Sequence, residues 1–158
     1  MERLSRATDR AFGVAAIRIG LGVVAIGASV ARGVDIRSAL LGAVLGAIVL
    51  TLLAHGQSSR TRHRPEPEWV PAPAEAAYDP PWRAALLACI PSTLGLAAMA
   101  VFALVRQPVL VGIMAGVLLS LGALAVMSGF ELRRRERSEG VRLYLGRGPR
   151  PERYVVSP

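Results

Sequence analysis

The chain has 158 residues, with 19 Lys+Arg against 11 Asp+Glu and a formal net charge of +8. Hydrophobic residues make up 53% of it and charged residues only 19%, whereas soluble domains carry about 25% charged residues. The apolar residues form four long blocks and the charges fall between or after them, a pattern that excludes an ordinary soluble core. Every basic residue is an arginine. Because the arginines flank the apolar blocks, anionic lipid headgroups are a better partner for them than nucleic acid.

The four apolar blocks are residues 12–30, 38–54, 84–105 and 109–130. Each is close to the length of about 20 residues that a helix needs to cross the hydrocarbon of a bilayer. The blocks are continuously apolar and lack the period-two alternation of half-buried strands. The sequence therefore predicts an all-α integral membrane protein of four transmembrane helices, arranged as two helical hairpins, 12–54 and 84–130.

The first block has two alternative interpretations. Arg18 interrupts it, and a charge at depth opposes insertion, so the block could instead lie on the membrane surface. It could also be a cleaved signal peptide, because Ser29-Val30-Ala31 has the small-residue pattern of a cleavage site. A span is favoured because Arg18 is shallow enough to extend its side chain toward the headgroups.

The arginines predict the orientation. Four spans leave the N-terminus (1–11), the middle loop (55–83) and the tail (131–158) on one side, with fifteen of the 19 basic residues there and three opposite. Basic residues near spans are retained on the cytoplasmic side. We therefore expect both termini in the cytoplasm. The arginine-, alanine- and glycine-rich composition favours a bacterial protein, and hence the bacterial inner (plasma) membrane.

The middle loop and the tail differ in character. The loop is rich in proline, which disfavours helix and favours extended chain. The fourth helix is predicted to continue through Arg137 and to stop at Gly140. Residues 141–145 and 153–156 are two β-prone pieces that can form a small cytoplasmic hairpin. Because an isolated hairpin is marginal in water, we expect this one to order only against something else.

Small residues recur every four positions in two of the blocks. The helix-packing residues predicted on this basis are Ser38, Gly42, Gly46, Gly112, Gly116 and Ser120. This spacing puts each trio on one helix face, where a neighbouring backbone can approach closely. Two interpretations stay open: packing within one chain, or an interface with a second copy or another membrane protein.

Charged and kinked positions supply the other candidates. Arg18 is the ionisable residue inside an apolar block, a candidate for binding an anion or lipid headgroup. Pro91 is expected to kink the third helix, either structurally or as a moving joint. The remaining headgroup candidates are Arg133, Arg134, Arg135 and Arg137, which follow the last block. Docking of an acidic protein is the alternative for this cluster.

No pattern in the sequence predicts a catalytic set, a metal site or a cofactor. All acidic residues lie outside the apolar blocks, and His55 and His63 lack ligand spacing. We therefore expect a non-enzymatic accessory, scaffold or partner-binding subunit. The first alternative is a small transporter, channel or lipid-translocating protein that handles an anionic group near Arg18. The second is a membrane-bound enzyme with no identifiable catalytic residues.

Overall fold

The computed structural model describes residues 3–61, 69–73, 75–90, 92–146 and 153–156. Within them the chain is mostly helical. The helices are α1 (Ala7–Ala31), α2 (Ile36–Thr61), α3 (Pro81–Cys89), α4 (Ser92–Arg106) and α5 (Pro108–Glu139). Three of them, α1, α2 and α5, are long and apolar enough to cross a membrane, and α3 with α4 makes a fourth candidate if the break between them lies within one span.

The helices are longer than the apolar blocks that predicted them. α1 begins at Ala7 rather than at residue 12. Asp9 lies in its first turn, where a negative charge is stabilised by the positive end of the helix dipole. α2 continues past residue 54 to Thr61. α5 ends at Glu139, and Gly140 follows with a φ of 65°, which bears out the predicted stop.

The third apolar block is two helices rather than one. α3 ends at Cys89 and α4 begins at Ser92. Pro91, the predicted kink residue, lies outside the described residues.

Five short strands form one sheet in the order β2-β5-β4-β1-β3. The strands are β1 (Arg3–Arg6), β2 (Val70–Pro71), β3 (Ala77–Tyr78), β4 (Arg142–Gly146) and β5 (Arg153–Val156). β4 pairs antiparallel with β5 on one side and with β1 on the other. The outer pairs are parallel: β3 lies beside β1, and β2 lies beside β5.

The predicted hairpin in the tail is thus confirmed as the antiparallel pair β4 and β5, while its turn lies outside the described residues. The sequence did not predict that the N-terminus and the middle loop would add strands to it. The added strands have a physical reason, because two strands alone cannot bury an apolar face. With β1 added, Leu4 and Leu143 are both fully buried.

The described chain divides into two compact units. The sheet unit comprises the described residues within Met1–Val14, Pro65–Ala88 and Ala125–Pro158, and the helical unit comprises those within Ala15–Arg64 and Cys89–Leu124. α1 and α5 contribute residues to both units.

Within the helical unit, α5 contacts both α1 and α2 closely. A Cβ atom on Gly112 would lie 2.7 Å from the Ala39 carbonyl oxygen, and one on Gly116 would overlap the Ala43 carbonyl. Because 39 pairs with 112 and 43 with 116, α2 and α5 run parallel. Against α1 the numbering runs the other way, since Gly22 faces Leu119 whereas Gly122 faces Ile19 and Ala15. α1 and α5 are therefore antiparallel.

Candidate functional site

Arg18 is hydrogen-bonded at the start of α4. Its Nε donates to Thr93 Oγ1 at 3.0 Å and its Nη2 to Ser92 Oγ at 3.4 Å. Thr93 is 2% exposed. Both acceptors are neutral hydroxyls, and no described carboxylate forms an ion pair with Arg18. The guanidinium is thus held in place while its charge stays uncompensated among the described residues.

This arrangement was only partly visible in the sequence. The sequence indicates Arg18 as a candidate because it is a charge within an apolar block, whereas it did not predict that Ser92 and Thr93 would accept hydrogen bonds from it. The available signal was the break itself, because a helix that restarts exposes polar groups that can accept or donate hydrogen bonds. Nothing in the local spacing indicated which arginine would bind to the hydroxyl groups at the start of α4.

The two trios of small residues, here called the small-residue ladders (Ser38, Gly42 and Gly46 in α2; Gly112, Gly116 and Ser120 in α5), face each other within the chain. Gly42 and Gly46 pack against the α5 backbone at Gly112 and Ile113, and Gly112 and Gly116 pack against the α2 backbone. These contacts correspond to packing within one chain, the first of the two open interpretations. The serines at the ladder ends are less involved: Ser38 is exposed and Ser120 half-buried, while Ala39 and Ala43 are buried at the crossing.

Glu136 joins α5 to two strands of the sheet. Its Oε2 accepts from Arg6 Nη2 at 3.0 Å, and its Oε1 accepts from Arg6 Nε at 3.3 Å and from the backbone N–H of Leu143 at 3.1 Å. The carboxylate side chain is 5% exposed. Burial alone would raise the pKa of Glu136, but the hydrogen bonds from Arg6 and Leu143 and the charge of Arg6 outweigh it, so the pKa lies below its usual value. Sequence reasoning missed this residue because nothing local distinguishes it from its charged neighbours.

The arginine cluster after the last apolar block is divided between two environments. Arg133 and Arg137 line a pocket of about 310 Å³ together with Arg6 and Arg142. Arg135 instead pairs with Glu139 at 2.8 Å and extends over the ring of Trp69. Arg134 is exposed and belongs to neither environment, since it does not line this pocket and does not lie over the Trp69 ring. The four predicted positions therefore do not act as one patch.

Two guanidiniums lie over the ring of Trp69. Arg135 and Arg153 approach its ring centroid at 5.9 and 5.4 Å, distances at which a cation is attracted to an aromatic face. A second pocket, of about 320 Å³, opens beside these three side chains and is also lined by Glu131 and Ser128. The indole N–H is buried and has no hydrogen-bond partner among the described residues.

Among the described residues, no group of three or more His, Cys, Asp or Glu side chains is placed to hold a metal ion. The single cysteine, Cys89, is buried at the end of α3. Comparison with protein-family models, with curated proteins and with solved structures found no match.

Proposed function

We propose that the protein is a four-span membrane protein whose N-terminus, middle loop and tail lie together in the cytoplasm and form a partner-binding module. It acts as a non-enzymatic accessory or scaffold subunit in the inner membrane of a bacterium. The observation that carries the proposal is the sheet, because its strands come from all three of these segments.

The hydrogen bonds of the sheet restrict the membrane crossings. β1 pairs with β3, and β2 pairs with β5, so residues before α1, between α2 and α3, and after α5 belong to one compartment. Backbone groups cannot pair across hydrocarbon. Each intervening segment must then cross an even number of times, which supports α1 and α2 as one pair of spans.

The same reasoning supports the broken pair α3–α4 as a full span. If it entered the membrane and turned back, α5 alone would carry β4 to the side opposite β3. The helical unit supports this independently, because α2 and α5 run parallel. After α2 ends, the chain must therefore cross back to the side where α2 began before α5 can start. The distribution of arginines then favours the cytoplasm for the shared side.

Cysteine accessibility tests this topology. In a Cys89→Ala background, single cysteines replace Asp35 or Gln107, which lie between helices on the proposed outer side, and Glu75, on the proposed cytoplasmic side. A membrane-impermeant maleimide should label the first two in intact cells, and Glu75→Cys only in inverted vesicles. Labelling of Glu75→Cys in intact cells together with Asp35→Cys would exclude the proposal.

Partner binding is supported by what the described surface leaves uncovered. α2 exposes Leu41, Leu45 and Leu52 by 65%, 55% and 68%, and Phe102 of α4 is 67% exposed. In lipid such faces contact acyl chains or another membrane protein, whereas the ladders are already occupied within the chain. The interface with a partner is therefore expected on these larger apolar residues.

Cross-linking identifies the face that is used. Leu45→Cys and Phe102→Cys, each in the Cys89→Ala background, probe α2 and α4 in native membranes. We expect one of them to cross-link to a second copy or to a stoichiometric partner, and the other to remain free. A monomer that cross-links from neither position, and purifies alone in mild detergent, would contradict a scaffold role.

Arg18 supports a second candidate function, movement of an anion or an anionic lipid headgroup. Its uncompensated guanidinium lies at the start of a helix in a broken apolar segment, an arrangement that attracts anions. Reconstituted protein should then carry an anion flux that falls on Arg18→Gln and changes little on Arg32→Gln, an exposed arginine after α1. Flux that is unaffected by Arg18→Gln would remove this candidate.

A further inference from the structure

Four arginines from three elements line one pocket of the sheet unit. Arg6 comes from β1, Arg133 and Arg137 from α5, and Arg142 from β4. The other lining residues are Glu136, Gly140 and Val141. Its volume of about 310 Å³ lies at the lower end of the roughly 300–1,000 Å³ typical of ligand pockets. The space suits a small charged group.

The charge in this pocket is not balanced by the protein. Glu136 is its single carboxylate, and both oxygens of Glu136 already accept from Arg6. No described residue forms an ion pair with the other three guanidiniums. By contrast, Arg3, Arg6 and Arg135 are each paired with a carboxylate. The pocket therefore carries an excess of about three positive charges.

Ordinary helix electrostatics do not account for this arrangement. The C-terminal end of a helix attracts cations, which explains Arg137 in the last turn of α5. Arg133 and Arg137 are four residues apart, however, a spacing at which like charges destabilise a helix. Arg142 adds a third cation from a strand. Gly140, with a φ of 65°, turns the chain back after α5, so that β4 brings Arg142 to the same pocket.

From these contacts we propose that the pocket binds a phosphoryl group, held by Arg133, Arg137 and Arg142. Guanidiniums match the geometry of phosphate oxygens through paired N–H donors, and several together can neutralise a dianion. The Arg6–Glu136 pair forms the wall of the site and fixes the end of α5 against β1 and β4. A lipid headgroup and a free phosphate both carry such a group, and the site recognises the chemistry common to both. This inference is independent of the proposed topology.

Binding is measured on the full-length protein in detergent. Inorganic phosphate is titrated by calorimetry, against sodium chloride at matched ionic strength. The lipid arm uses nanodiscs that contain either phosphatidic acid or phosphatidylserine at equal surface charge. Saturable binding of inorganic phosphate supports a soluble ligand, and preferential retention of phosphatidic acid supports a lipid headgroup. Absence of both overturns the proposal.

Variants separate the site from diffuse attraction. Arg137→Gln and Arg142→Gln should each weaken binding by about tenfold or more, the usual effect of losing a charged hydrogen bond. Arg137→Lys keeps the charge but loses the paired donors, and should weaken it several-fold. Arg134→Gln is the matched control, because this neighbour lies outside the pocket. Equal weakening by Arg134→Gln and Arg137→Gln would overturn a defined site. Circular dichroism confirms that each variant is folded.

Discussion

The guanidinium of Arg6 contacts both carboxylate oxygens of Glu136, although 130 residues separate them in the chain. The same carboxylate accepts from the N–H of Leu143. One side chain near the end of α5 thereby holds the first and the fourth strands of the sheet. Because the carboxylate is buried and Arg6 half-exposed, loss of the acid leaves a backbone N–H and a cation with a poorer acceptor.

Removal of this charge should loosen the sheet unit. We expect Glu136→Gln to lower its free energy of unfolding by about 1.5–3 kcal/mol, the range for hydrogen bonds to charged groups. Hydrogen exchange at the Leu143 amide measures the effect. Glu139→Gln is the control, since its pair with Arg135 is nearly half-exposed on both sides and should contribute only about 0–1 kcal/mol. Equal exchange rates in the two variants would show that the Glu136 contacts are not needed.

Acid should weaken the same unit through the same group. The pKa of Glu136 is lowered in the folded protein, because Arg6 and Leu143 outweigh the effect of burial. A lowered pKa means that the stabilisation is complete above the pKa of the unfolded chain, about 4.3, and is lost as the pH falls through the folded value. The temperature at which the sheet unit unfolds should therefore decrease once the pH is lowered below about 4.3. If Glu136→Gln shows the same acid dependence as the parent, another carboxylate is responsible.

The crossing of α2 and α5 depends on the absence of a side chain at Gly116. A Cβ there would overlap the Ala43 carbonyl, which belongs to a helix backbone and cannot move aside. Gly116→Ala should lower stability in detergent by about 1–3 kcal/mol, as overpacking usually does. Gly27→Ala in α1 meets nothing within 4 Å and should be neutral or stabilising, because alanine favours helix by about 0.5–1 kcal/mol. Gly116→Ala should therefore lower the temperature of thermal unfolding, whereas Gly27→Ala should leave it unchanged or raise it. An equal decrease in both variants would argue against the crossing.

The N-terminal strand should protect the tail. Leu4 is fully buried in β1 beside β4, and Leu4→Ala removes core volume at a cost of about 2–5 kcal/mol. Trypsin should then cleave after Arg142 faster than in the parent protein. Val70→Ala provides the comparison, since Val70 is 49% exposed in the edge strand β2. Tail cleavage that is insensitive to Leu4→Ala would mean that β1 does not hold the tail.

The candidate sites show which signals are local. Gly42 and Gly116 could be selected from the sequence because four-residue spacing on a helix is a local property. Their partners could not, because either ladder could equally have met a second chain. Arg133 and Arg137 could be selected as part of a basic cluster, but Arg6 and Arg142 join them from strands that are remote in sequence. Glu136 carried no local signal, since its importance lies in contacts made 7 and 130 residues away.

Hydropathy, helix stop signals and β propensity are properties of neighbouring residues. The sequence alone therefore determined the apolar helices, the stop at Gly140 and the two β-prone pieces of the tail. Tertiary structure decided which segments complete that hairpin, because strand partners are selected by burial and backbone hydrogen bonding across long chain separations. It also decided that the arginines of the tail divide between Trp69 and a pocket. A helix fixes the angular spacing of its side chains, but only the elements packed around it determine what each side chain meets.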